Sequence, residues 1–354
     1  MDQQDFNQLK PSVKKRYLGV LFFVVLATGM IYGTSKYGFG SNEIDITSEN
    51  SKSTIWNKVA NLFVGSNTEK EPTIDDDPGY IMPKSDDGRW DILILGIRGE
   101  EGEHPEEVGA WLTDTMMILS YDSKTKKTSL VSIPRDFYVR IYGTKKAKIN
   151  EAYETGVLRK NSLGFTKKLV SRITGIYIDN AIVVNFSSFE KIIDELGGID
   201  IELEQPFTEK IQWGYEFSLP TGKNHLDGQT ALYYVRSRFS SSDFDRAQRQ
   251  QRVIVAMKNK IMALSLLSDP IKTLSILNTL RSNIETDLKI WDVGGLVELS
   301  KEFTGEEKIK RFVLTTENLL YETHIQIGTG NIYVLLPKGD NLQGIKQFFQ
   351  DTLK

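Results

Sequence analysis

The sequence predicts an α/β protein: a three-layer α-β-α sandwich around one mixed sheet, preceded by a single N-terminal transmembrane helix. Three observations carry this. From about residue 89 onward, short apolar runs of strand length alternate with helical patterns, the rhythm of a sheet covered by helices. Two neighbouring runs, Thr115–Asp122 and Thr128–Pro134, are separated by the polar turn SKTKK and form an antiparallel hairpin. Far upstream, residues 17–35 form one uncharged, largely apolar run, just long enough to cross a bilayer as a helix.

The 354 residues suffice for more than one domain, and their 40% apolar share supplies a real core. The formal net charge of −3 makes the arginine-rich stretch described below a local feature. It also argues against nucleic acid as a partner, for which a basic stripe on a basic domain is expected. With no cysteine in the chain, disulfides, zinc–thiolate centres and cysteine nucleophiles are excluded together.

Residues 1–16 are polar and end in Lys14, Lys15 and Arg16. Together with Lys10 these basic residues precede the apolar run, against Lys36 alone just after it, which sets the N-terminus in the cytoplasm and the rest outside. No small-x-small site follows, so an uncleaved membrane anchor is favoured over a signal peptide. Residues 36–88 are rich in Ser, Asn, Asp and Glu and carry the run Asp75, Asp76, Asp77 before Pro78-Gly79. Such a composition predicts a partly disordered extracytoplasmic linker, with one amphipathic stretch at residues 53–65.

The folded domain is expected over residues 89–354. DILILG, Asp91–Gly96, is a continuous apolar run of the kind buried on both faces of a sheet. The long polar loop after it contains Arg98, Glu100, Glu101 and Glu103 and has the length of a functional loop. The hairpin then places Asp114, which precedes its first strand, beside Arg135 and Asp136, which follow its second. If DILILG runs parallel to the returning strand, Arg98 opens onto the same end, where open α/β sheets bind ligands.

Further on, KINEAYETG (Lys148–Gly156) begins a helix, Ser162–Gly175 is a second, and NAIVVNF (Asn180–Phe186) is a buried strand. SSFEKIIDELGG, Ser187–Gly198, has a Ser cap, Glu190 at capping-box distance and a glycine stop. Ile199–Leu203 alternates as a half-exposed strand, residues 205–222 suggest a hairpin, and a helix from Asp227 delivers Arg236 and Arg238 at its end. A helical region to about Glu302 and a final β-α segment complete the chain.

The stretch that organises the rest is YYVRSRFSSSDFDRAQRQQR, Tyr233–Arg252. A helix is expected from about Ser242, with Ser241, Ser242 and Asp243 as candidate caps. Arg246 and Gln250 share a face with Val253 and Met257, so a stripe that becomes core begins with a guanidinium and an amide. An arginine run ordinarily marks a solvated, salt-bridged face. An inward-facing cation at a helix N-terminus suits an anion instead, phosphate above all. Arg98, Arg135, Arg236, Arg238, Arg246, Arg249 and Gln250 thus form a candidate diphosphate site, with Asp114 as a carboxylate for Mg²⁺. The chain has no GxxxxGK[ST] loop, no GxSxG elbow, and its histidines, His104, His225 and His324, make no HExxH.

These residues resemble the LytR-CpsA-Psr family of cell-envelope proteins. The matching motifs are DILILG, LTDTMMILSYD, VSIPRD, KINEAY, VVNFSSFEKIIDELGGIDIEL and HLDGQTALYYVRSRFSSSDFDRAQRQQ, in order over residues 90–257, leaving 258–354 as a C-terminal extension. The resemblance implies a transferase anchored in the cell membrane with its catalytic domain outside. Such a protein takes a glycopolymer from a polyprenyl-pyrophosphate carrier and joins it through a phosphodiester to an envelope acceptor such as peptidoglycan. It implies Asp114 as the ligand of Mg²⁺ (or Mn²⁺), and Arg135, Arg236 and Arg238 as pyrophosphate-binding and catalytic arginines. Arg246 and Gln250 match helix residues near the head group, and Asp243 the acidic position beside them. Phe186, Phe189, Ile193 and Tyr153 are candidates for a lipid tunnel.

Where many members carry an aspartate after the first strand, this chain has Arg98, which leaves the general base open among Glu100, Glu101 and Glu103. A pyrophosphatase activity is a further implication. The alternatives are a polyprenyl-phosphate-binding protein without turnover, a transcriptional regulator of envelope genes, and a scaffold whose arginines are merely salt-bridged.

Overall fold

The computed structural model describes residues 80–86, 88–99, 109–122, 124–263, 279, 284–288 and 309–352. The expected cytoplasmic tail at 1–16, the expected transmembrane run at 17–35, the expected linker as far as residue 79, and Glu100, Glu101, Glu103 and His104 lie outside them. Among the described residues no helix is long and apolar enough to cross a membrane.

Strand β1 (Arg89–Ile97) pairs antiparallel with β2 (Thr113–Asp122), which pairs antiparallel with β3 (Thr128–Ser132). A small ribbon of β4 (Tyr138–Tyr142) and β5 (Lys145–Lys148) follows, unforeseen from sequence. Helices α1 (Ala152–Leu158) and α2 (Ser162–Thr174) lead to β6 (Asn180–Val184), which joins β1 in parallel. Then come α3 (Phe186–Glu195), β7 (Ile199–Leu203), the short hairpin β8 (Phe207–Glu209) and β9 (Phe217–Leu219), and β10 (Gly222–Leu226), which pairs with β7. The helices α4 (Gly228–Arg236) and α5 (Asp243–Ala263) carry the arginines. Strand β11 (Ile284–Thr286) pairs antiparallel with β6, and β12 (Ile309–Val313) pairs in parallel with β3. The hairpin β13 (Leu320–Ile327) and β14 (Gly330–Pro337) and helix α6 (Gln343–Asp351) end the description.

The central sheet is therefore six-stranded and mixed, in the order β11-β6-β1-β2-β3-β12. Alternation along β1 divides its side chains between two cores. Leu93, Leu95 and Ile97 join the core with α1, α2 and α6, whereas Trp90 and Ile92 meet Ile182 on the other face. On that second face α3, α4 and α5 do not press flat on the sheet. Their apolar stripes are largely satisfied from outside, where Ile199, Ile201, Leu203 and Leu226 of the β7–β10 ribbon pack against Ile193, Ala231 and Val253.

Two expectations are corrected. Helix α3 is capped by Asn185, whose Oδ1 accepts from the Ser188 backbone N–H at 2.7 Å, so the cap lies two residues before Ser187. The region expected to be helical up to Glu302 contributes β11 to the sheet; the rest of it, apart from Thr279, Asp287, Leu288 and the end of α5, lies outside the described residues. Residues 309–352 form the expected final β-α segment. They supply an edge strand, and Leu314, Leu320, Leu335, Ile345 and Phe349 belong to the main core.

Candidate active site

The strand ends expected to carry Arg98, Asp114 and Arg135 fall at one end of the sheet, opposite the turn that joins β2 to β3. Because β1 runs antiparallel to β2 with Ile97 opposite Thr113, Arg98 and Asp114 emerge at the same edge, and β3 returns there to deliver Arg135. Gly99, at φ +87°, turns the chain away just after Arg98; a Cβ there would stand 2.8 Å from that of Asn185. A left-handed φ with so little room calls for glycine.

Beneath this edge lies a cavity of about 340 Å³ between the sheet and α3–α5. Its wall is apolar: Ile94, Met117, Ile182 and Val184 from the sheet, Phe186, Phe189 and Ile192 from α3, and Ile254 and Met257 from α5. Its mouth is ionic, lined by Arg98, Arg135, Arg236, Arg238 and Arg246, with Asp114, Gln212 and Gln250 among them. The space is of the size that holds small molecules. Unfilled apolar volume forgoes roughly 24 cal/mol of packing per Å³, a loss a fold tolerates where a ligand needs the room.

Each arginine at the mouth is held differently. Arg135 Nη1 donates to Asp114 Oδ1 at 2.7 Å and its Nε to Asp243 Oδ2 at 3.0 Å, so one guanidinium bridges two carboxylates. Asp136 stands 3.7 Å from the same Nε and is itself bound by Lys148 at 2.5 Å. Burial pulls the Arg135 pKa down, but Asp243 and Asp114 together outweigh it and hold the group above its ordinary value. Arg246, buried at the start of α5, donates to Asp243 Oδ2 at 3.1 Å. The Arg236 guanidinium carbon stands 4.0 Å from the Phe186 ring and 5.3 Å from that of Trp213. Burial lowers the pKa of both Arg236 and Arg246, with Asp114 and Glu190 opposing it at the first and Asp243 at the second. Guanidiniums stay charged through such shifts, so the mouth keeps a surplus of cations.

Helix α5 starts as its sequence suggested. Ser242 Oγ accepts from the Asp245 N–H at 3.1 Å while Asp245 Oδ2 accepts from the Ser242 N–H at 3.0 Å, a reciprocal cap. Arg246, Gln250 and Met257 face the cavity from this helix, while Val253 belongs to the core beyond it.

Arg249 is a correction. Predicted to bind phosphate, it is buried and does not line the cavity. Its Nε donates to the Tyr234 carbonyl at 2.9 Å, Nη1 to Ser241 Oγ at 2.8 Å, and Nη2 to the Ser237 carbonyl. The carbonyls at the end of α4 lack helical partners, and Arg249 satisfies them. Of the four tunnel candidates, Phe186 and Phe189 line the cavity, whereas Ile193 and Tyr153 are ordinary core residues.

Sequence reasoning missed Glu209 and Gln212. The Glu209 side chain, wholly buried, accepts from the backbone N–H groups of Ile211, Gln212, Phe239 and Ser240 and from Ser240 Oγ, at 3.1 to 3.4 Å. Burial pushes its pKa up, but these bonds prevail and hold it below the usual glutamate value. Gln212 in turn accepts from the Arg238 N–H at 2.9 Å and donates to the Arg236 carbonyl at 3.1 Å. The β8–β9 turn thereby fixes the backbone that carries both arginines. A single glutamate in a short strand leaves no sequence signal of such a role.

Among the described residues no cluster of three or more His, Cys, Asp or Glu side chains could hold a metal ion. Asp114, 41% exposed at the mouth, is the kind of lone carboxylate that Mg²⁺ takes when phosphate oxygens and water complete its shell.

The fold and site thus define a three-layer α/β protein with an apolar cavity opening through an arginine-lined mouth at one sheet end. The model of the LytR-CpsA-Psr family matches residues 56–347, and the chain belongs to that family. It is 30% identical over 275 residues to the regulatory protein MsrR of Staphylococcus aureus, covering 76% of this chain and 77% of MsrR. It is 28% identical over 276 residues to the polyisoprenyl-teichoic acid–peptidoglycan teichoic acid transferase TagV of Bacillus subtilis, covering 75% of this chain and 64% of TagV. The TagV crystal structure superposes with a TM-score of 0.58 at 26% identity over 75% of this chain and 97% of that one. A structure of TagT bound to LIIa-WTA gives a TM-score of 0.54 at 25% identity over 75% of this chain and 91% of that one.

Proposed function

We propose that this chain is a membrane-anchored transferase that moves a glycopolymer from a polyprenyl-pyrophosphate carrier onto an envelope acceptor, peptidoglycan foremost. The observation that carries the reading is the amphipathic cavity, with apolar walls suited to an isoprenoid chain and arginines at the mouth suited to a diphosphate. The names of TagV and TagU, both teichoic acid transferases acting on peptidoglycan, and TagT with its bound WTA support it. The apolar run at residues 17–35 would anchor the chain with its N-terminus in the cytoplasm and the cavity outside.

In this reading an acceptor hydroxyl attacks the glycan-linked phosphorus, the new O–P bond forms, the bridging bond to polyprenyl phosphate breaks, and the hydroxyl proton passes to the departing phosphate or to water. Arg236, its guanidinium held beside the Phe186 and Trp213 rings, would donate to phosphate oxygens. Arg135 and Arg246, oriented by Asp243, spread positive charge where the transferred phosphoryl and the leaving phosphate develop theirs. Asp114 would hold Mg²⁺ together with the phosphates, and the ion would neutralise further oxygen charge. Arg98 adds a further cation at the mouth.

The direct test is transfer from a lipid-linked glycan donor to peptidoglycan in vitro by the full-length protein. Product is expected from the wild type and none from Asp114→Ala, with the variant still folded by circular dichroism. Full activity of the variant, or lipid binding by the wild type without any turnover, would refute the assignment. The second outcome would leave a polyprenyl-phosphate-binding protein.

A further inference from the structure

We propose that Ile211, Tyr215 and Phe239, on the rim of the cavity mouth, form a membrane-contacting surface that seats the domain on an anionic bilayer with the mouth facing the headgroups. The inference rests on the lipid-linked donor proposed above and adds how that donor reaches the site.

These side chains are 72%, 54% and 59% exposed, although each is large and apolar or aromatic. They come from two separate loops brought together by one buried carboxylate. Glu209 Oε1 accepts from the Ile211 N–H and Oε2 from the Phe239 N–H, each at 3.1 Å, so the two tips are held side by side. The base beneath them is rigid. Trp213 stacks on Tyr233 at 4.2 Å and 13°, its Nε1 donating to Ser237 Oγ at 3.2 Å, and Tyr215 leans on the same Tyr233 ring at 6.3 Å. A fold that fixes exposed apolar tips so firmly is presenting them.

The occupant follows from composition and place. Exposed Lys210 and Arg238 flank the tips, the Arg238 guanidinium 5.3 Å from the Phe239 ring, with Glu216 the nearest exposed acid in sequence to the Ile211 and Tyr215 tips. Apolar and aromatic tips with basic residues beside them are the residues of a headgroup interface, and Lys210 next to Ile211 and Arg238 next to Phe239 favour anionic lipid. A sugar platform would present flat rings throughout, and Ile211 has none. Phe239, Arg238 and Gln212 also line the cavity. An isoprenoid chain entering past them would pass from bilayer to apolar wall without crossing open water.

The chain has no cysteine, so single cysteines can carry an environment-sensitive fluorophore. Full-length protein with labels at Ile211→Cys, Phe239→Cys or Leu158→Cys is reconstituted into phosphatidylglycerol–phosphatidylethanolamine vesicles containing lipids spin-labelled near the headgroup. Leu158 is as exposed as the rim but sits on α1, across the sheet. Quenching several-fold stronger at 211 and 239 than at 158 is expected. Equal quenching at all three positions overturns the proposal, as does a rim signal that responds only to soluble wall glycan, which would make the rim a sugar platform. Binding of polyprenyl phosphate in detergent is read in parallel on the wild type and each labelled variant. Binding without rim quenching sinks the membrane contact alone; rim quenching without binding by the wild type sinks the lipid-donor reading alone.

Discussion

The two faces of the central sheet are built from the same strands to opposite ends. On one face, Leu93, Ile118 and Val131 are fully buried against Tyr153, Val170 and Ile173, with α6 closing the layer through Phe349. On the other, Ile94, Met117 and Val184 line a cavity of about 340 Å³ roofed by three helices. The difference lies in what satisfies the helices. Helix α2 spends its apolar stripe on the sheet, whereas α3, α4 and α5 spend much of theirs on the outer β7–β10 ribbon and can stand off. One face of the strands holds the fold together, and the other borders an open cavity.

The comparison can be broken most sharply at the mouth. Arg135→Ala should reduce transfer from a lipid-linked donor by about 100- to 1000-fold, the cost of removing a preorganised charge donor, while the melting curve stays cooperative. Next, Leu93→Ala on the packed face should cost roughly 2–5 kcal/mol of stability in denaturant titrations and leave the lipid affinity of the folded fraction unchanged. Ile254→Trp on the open face should do the reverse. Filling the cavity should weaken polyprenyl phosphate binding by about tenfold or more, near 1.4 kcal/mol, with stability shifted by less than the Leu93 variant. If Ile254→Trp destabilises as much as Leu93→Ala and binding survives, the two faces are not specialised.

A further effect is expected at the rim. Glu209 has a folded pKa below its ordinary value because its N–H bonds outweigh burial. Its stabilising contribution is therefore complete above the unfolded value of about 4.3 and is lost as pH falls through the lower folded value. Glu209→Gln should flatten the dependence of stability on pH below about 4.3 and lower stability at neutral pH by roughly 1–3 kcal/mol. An unchanged acid limb would show that Glu209 is not the clasp.

What the sequence disclosed and what it hid follow from the range of the interactions. The hairpin signal alone brought Asp114 to Arg135, now 2.7 Å apart, because turn chemistry and strand alternation are local. The inward face of α5 was legible from helical spacing, and Arg246 and Gln250 do line the cavity. Arg249 was misread because the acceptors it binds belong to the end of another helix, 15 and 12 residues away, and spacing within one helix cannot reveal them. Glu209 was invisible for the same reason, since Phe239 and Ser240 reach it from about 30 residues downstream. Strand β11 was absorbed into a helical reading because three residues carry no period of their own.

The central claim is that apolar wall and cationic mouth act on one molecule. Its most direct test is the dissociation constant of the full-length protein for polyprenyl diphosphate set against that for inorganic pyrophosphate under the same detergent and salt. Burying even a few isoprenoid methylenes at about 0.8 kcal/mol each should make the lipid bind about 100-fold more tightly. Equal affinities would mean that the cavity behind the arginines takes no lipid chain, and would contradict the account.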